Sequence, residues 1–122
     1  MRAYREKTAV RNGCVSEVLC NDPKHPKGWE KTISEWGVYQ NGGYWGTPVG
    51  WYIVAMRKTD PAAATEMARD YIQFLRKTPR ADGTSEAWEW FNPDTGRAAN
   101  PLYMATVGLP YGCFRVSALL RN

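Results

Sequence analysis

The chain has 122 residues, a formal net charge of +4 and 43% hydrophobic residues. That length suits one domain, residues 1–122, burying roughly two-thirds of its unfolded surface, and no apolar run is long enough for a membrane-spanning helix. The opening "MRAYREKTAVRNG" leads into no secretory apolar region, and the 16 Lys and Arg are scattered rather than gathered in a stripe, so a cytoplasmic protein without nucleic-acid or membrane partners is expected.

In chain order, residues 1–47 read as an irregular front, punctuated by the turn formers "RNG", "NDPKHPKG" and "NGG". Its one short apolar segment, "CVSEVLC", suits either a strand or a helical turn. As a strand it would hold the sulfurs of Cys14 and Cys20 on one face about 20 Å apart. As a helix it would leave their Cα atoms about 9 Å apart, also beyond disulfide reach. With Cys113 the count is odd and no CxxC or close Cys/His pair exists, so three reduced thiols and no zinc are expected.

Residues 48–122 read as helical. Thr47 followed by Pro48 is an N-cap signal with proline at the first helical position, opening a helix that ends near Thr59. Asp60 and Pro61 repeat the signal for "AAATEMARDYIQFLRKT". Here Ala64, Met67, Ala68, Tyr71, Ile72 and Leu75 recur at three- and four-residue spacing, opposite Glu66, Arg69, Asp70 and Arg76. So short a connection predicts an antiparallel helical hairpin. Thr78 and Pro79 stop the second helix, and residues 80–100 form a long loop. Asn100 and Pro101 predict a restart through "LYMATVGLPYGCFRVSALL", bent at Pro110 where the ring removes a backbone hydrogen bond.

Two aromatic loops dominate this outline. Trp36, Tyr39, Tyr44, Trp45 and Trp51 crowd the first, and Trp88, Trp90 and Phe91 crowd the second beside Glu86 and Glu89. Two readings fit them. The rings either close the core of a small domain or stack on sugar C–H faces, with Gln40, Asn41, Asn92 and Asp94 available for hydroxyls. Glycines beside the rings, as in "NGG", allow backbone to approach a ligand closely.

"YQNGGYW", a helix with tryptophan near its start, an amphipathic helix, "WEWFNPDTG" and a last helix resemble the C-terminal segment of the six-hairpin glycosidases. These are the (α/α)6-toroid glycoside hydrolases, among them alkaline/neutral invertases and trehalase-like and glucosidase-like enzymes. The similarity runs over residues 12–120. It implies a mainly α fold: a partial (α/α) toroid of one helical hairpin, a further helix and long aromatic loops. It also implies a sugar cleft formed by Tyr39, Gln40, Asn41, Gly42, Gly43, Trp45, Trp88 and Trp90, with Glu89 as the base that activates water. Inverting hydrolysis further needs a general acid about 6.5–9.5 Å away. In the family it comes from earlier hairpins that this sequence does not contain, and no motif assigns the role to Glu17, Asp22 or Glu35.

Three functions follow: a sugar-binding protein with little or no hydrolase activity, a hydrolase whose site is completed between chains, and a structural protein that reuses the loops as an interface. An incomplete toroid leaves apolar faces uncovered, so a homo-oligomer is expected. No cofactor is expected. His25 between prolines suits a loop, "NGG" lacks a phosphate-loop ending, and Asp82, Glu86, Glu89 and Asp94 do not match the spacing of a calcium loop.

Overall fold

The computed structural model describes residues 9–17, 34–77, 81–83 and 86–117. Its first element is a hairpin. β1 (Val10–Arg11) and β2 (Cys14–Ser16) pair antiparallel across Asn12 and Gly13, with φ of 52° and 72°. Positive φ at both central residues is the requirement of the tight hairpin turn whose twist matches the strands, and Asn-Gly meets it. A side chain at position 13 is also excluded by packing, since a Cβ there would lie 2.4 Å from the Tyr71 backbone nitrogen.

β2 pairs with β3 (Tyr44–Trp45), β3 with β4 (Trp90–Phe91), and β4 with β5 (Ala98–Ala99), giving a five-stranded antiparallel sheet in chain order. The last pair closes through the "NPDT" turn. Asn92 Oδ1 accepts from the Asp94 and Thr95 N–H groups at 2.9 and 3.3 Å. The Arg11 guanidinium of β1 pairs with Asp94 of this turn.

The sheet overturns the expected mainly α partial toroid. The two aromatic segments expected to be separate loops are the paired strands β3 and β4, and the described part of the supposedly irregular front supplies β1 and β2. Three helices are present among the described residues, as the sequence reading required. α1 spans Val49–Arg57, α2 spans Pro61–Arg76 and α3 spans Met104–Val116.

The helix starts differ from one another in an instructive way. Asp60 caps α2, its carboxylate accepting from the Ala63 N–H at 3.1 Å with Pro61 in the first turn. α1 is entered through Pro48, one residue later than expected, and the Thr47 hydroxyl is buried with no hydrogen-bond partner among the described residues. α3 begins at Met104 because Asn100 and Leu102 adopt φ of 51° and 62°, which cannot belong to a right-handed helix. Pro110 lies inside α3, and the helix continues past it to Val116.

α1 packs against both α2 and α3. A Cβ on Gly50 would lie 2.7 Å from Cys113 Cβ and 2.9 Å from Pro110 Cα, so only glycine admits α3 this closely. One buried cluster joins strands and helices, including Val10, Val15, Tyr44, Ile53, Met67, Tyr71, Phe91 and Phe114. The Phe74 ring of α2 stacks on Phe91 of β4 at 4.4 Å, and the Tyr71 hydroxyl donates to the Thr106 carbonyl. No helix among the described residues is long and apolar enough to cross a membrane.

Candidate functional site

The residues singled out in the sequence fall into two groups. The first is the turn over residues 34–43 that leads into β3. Asn41 organises it from inside: its N–H donates to the Val38 carbonyl at 3.0 Å, its carbonyl accepts from Gly37 at 2.7 Å, and its side-chain amide donates to the Ser34 carbonyl at 3.1 Å. A second amide braces the turn from the sheet, Asn92 Nδ2 donating to the Gly37 carbonyl at 2.9 Å. Asn41 and Asn92 are therefore buried structural amides rather than groups presented to a sugar.

Tyr39 sits at the crest with φ of 51°, a conformation rare for an aromatic residue. Its carbonyl accepts from the Gly43 N–H at 2.8 Å and from the Trp45 indole at 3.4 Å. Its ring meets Trp45 edge-on, 4.9 Å between centroids. Gly42 and Gly43 are buried beneath it. A Cβ on Gly43 would stand 2.4 Å from the Tyr39 oxygen and 2.9 Å from Trp90 Cε3, so the second glycine lets the turn close on the sheet.

Trp45 and Trp90 are only 6% exposed each, so the expectation that they offer stacking faces to a ligand is corrected: both are covered by their own chain. The exposed aromatics of this region are instead Trp36, at 45%, and Tyr39, at 37%. Gln40 is exposed beside them. Glu35 and Arg97 form an ion pair that joins the turn to the segment before β5.

The second group surrounds Glu89. Its residue is 8% exposed, and its carboxylate accepts from the Asn100 amide. Its backbone N–H is shared between the Ala99 and Asn100 carbonyls, at 3.2 and 3.1 Å. Arg97 is not its counter-ion, being paired with Glu35. Trp88 is half-buried, and its carbonyl accepts from Thr106 Oγ1 at 2.9 Å. Around this carboxylate three residues have positive φ: Ala87 at 43°, Asn100 at 51° and Leu102 at 62°. Such backbone persists only where its surroundings hold it, and here the Leu102 and Tyr103 N–H groups donate to the Glu86 and Ala87 carbonyls.

Of the carboxylates considered as a general acid, Glu35 is taken by its ion pair, Glu17 lies beyond β2, and Asp22 lies outside the described residues, as do His25, Cys20 and Arg80. Among the described residues no three His, Cys, Asp or Glu side chains are grouped to hold a metal ion. Trp36 is the residue that sequence reasoning undervalued. The available signal was its position directly before Gly37, a turn glycine with φ of 82°. No protein-family profile matches the chain, and no curated protein or solved structure matches it.

Proposed function

We propose that this chain is a shortened six-hairpin-glycosidase-like protein that binds carbohydrate through the turn over residues 34–43, with little or no hydrolase activity. The observation that carries the reading is the pair of exposed rings, Trp36 and Tyr39, on a turn braced internally by Asn41 and Asn92. Aromatic faces held in place before binding lose little conformational freedom when a sugar ring stacks on them. Gln40 and the Glu35–Arg97 pair supply planar polar groups for the hydroxyls at the edge of such a ring. A cytoplasmic setting belongs to the same proposal.

Weak or absent hydrolysis follows from the state of Glu89. A base must face a water molecule held opposite a second, protonated carboxyl group. Glu89 is instead buried and bonded to the Asn100 amide. Calorimetric titration with sucrose, trehalose and maltose tests the binding. Saturable heat for at least one of them, with the dissociation constant raised tenfold or more by Trp36→Ala, is the expected result. The absence of saturable heat for any sugar contradicts the proposal. Turnover of nitrophenyl glycosides that is abolished by Glu89→Gln contradicts the statement about hydrolysis.

A further inference from the structure

α3 is apolar on nearly every side. From Ala98 to Phe114 the sequence contains no Asp, Glu, Lys, Arg or His, and the first charge is Arg115 in the last turn. Thr106, Pro110 and Phe114, four residues apart, form the buried stripe. Around the rest of the helix and in the turn before it, Leu102, Tyr103, Met104, Val107, Leu109 and Tyr111 are between 36% and 75% exposed, and Arg115, in line with Met104 and Tyr111, is exposed with them. A helix that is hydrophobic all round belongs in an interior, so this outer side calls for a cover.

We infer that a second copy of this chain covers it, through a two-fold contact centred on the outer side of α3. The area fits. Taking ~200 Å² for each large side chain, the six exposed fractions amount to roughly 600 Å² per copy. A symmetric pair would then bury about 1,200 Å², the lower edge of the standard size for a specific interface. The dimer is therefore concentration-dependent rather than permanent.

Charge favours the same occupant. Two copies with a formal net charge of +4 repel each other over most approaches, but this side carries one charge, Arg115, near one end, and an antiparallel two-fold contact keeps its two copies apart. An anionic membrane surface is disfavoured, because a helix lying on lipid is bordered by several cations, whereas Arg115 is the only one within α3. The shape also repeats under a two-fold axis. Cβ atoms on Gly108 and Gly112 would meet nothing within 4 Å, leaving a shallow notch one turn long. Tyr111 stands beside the notch, so each copy can place its ring against the other's glycines, as an isologous contact requires.

Sedimentation equilibrium of the whole chain over a wide concentration range tests this. The weight-average mass should rise from 13.8 kDa toward twice that value. Tyr111→Glu and Met104→Glu should each raise the dimer dissociation constant at least tenfold, while Lys58→Glu, on the exposed end of α1, should not. Far-UV circular dichroism shows whether each variant is folded. Met104 is the more exposed of the two, and its variant stands alone if the other unfolds. A wild-type chain that remains monomeric at every concentration overturns the inference. So does self-association that both substitutions leave intact, or a monomer that binds neutral lipid vesicles instead.

Discussion

Trp45 and Trp90 stand directly opposite each other across the β3–β4 pairing, and both are almost wholly covered. Opposed residues of an antiparallel pair share one face of the sheet, so the two aromatic segments meet there. They meet in the interior rather than in a cleft. Trp45→Ala should accordingly act on stability, costing about 3–5 kcal/mol as large-to-small core substitutions of tryptophan do. Urea unfolding checks it: the midpoint should fall. An unchanged midpoint with sugar binding lost would return Trp45 to the binding surface.

Gly13 and Gly96 isolate the effect of packing at nearly identical φ. Their φ angles are 72° and 70°, but a Cβ on Gly13 would collide with the Tyr71 backbone whereas one on Gly96 would meet nothing within 4 Å. Gly96→Ala should cost only about 1–2 kcal/mol, the penalty of left-handed backbone for an L-residue. Gly13→Ala should cost more, because β1 and β2 must move off α2. Equal thermal shifts for the two variants would mean that the hairpin does not lie against Tyr71.

The two cap signals separate in the same way. Asp60→Ala removes a side chain that accepts from Ala63 and should destabilise by about 0.5–2 kcal/mol. Thr47→Val removes a buried hydroxyl that has no partner among the described residues and should be neutral or stabilising. Denaturant midpoints of the two variants should therefore move apart.

Alkaline pH should weaken the fold through its interior. Burial pushes the Cys14 thiol well above its ordinary value of 9.0. It also raises the Tyr71 phenol above 10.0, with the charge of Cys14 adding to the effect. In the unfolded chain both groups ionise near those ordinary values, so above them the unfolded state binds fewer protons than the folded one. Stability is thus fully present below the unfolded values and falls as pH rises through them, by ~1.4 kcal/mol per pH unit for each group. Unfolding midpoints measured across that range should show the decline, and Cys14→Ala should remove its earlier part. A slope unchanged by Cys14→Ala would contradict the assignment.

What was legible in the sequence follows from what each element needs. α2 announces itself through 16 residues of helical periodicity and a cap that is local in the chain, so the roles of Asp60, Pro61 and Tyr71 are legible without the rest of the fold. The strands are two or three residues long, too short for an alternating pattern to register, and β3 finds β4 across more than 40 residues. Asn12-Gly13 was visible as a turn, but nothing local shows that the turn closes a hairpin on Tyr71. Asn100-Pro101 imitates a helix start, and the bond from Asn100 to Glu89 accompanies the different backbone it adopts. In the candidate site the aromatic identities were plain. Which rings are covered depends on the sheet, which the sequence pattern does not show: it buries Trp45 and Trp90 and leaves Trp36 exposed.

The central claim is that the braced turn before β3 is the sugar-binding surface. It is tested most directly by amide NMR spectra of the uniformly labelled chain during titration with the disaccharide that gives calorimetric heat. The account predicts saturating shifts at residues 35–40 and at Arg97, together with perturbation of the Trp36 indole N–H, and little change at Glu89 and Asn100. Saturating shifts centred on Glu89 and Asn100, with residues 35–40 unmoved, would contradict it.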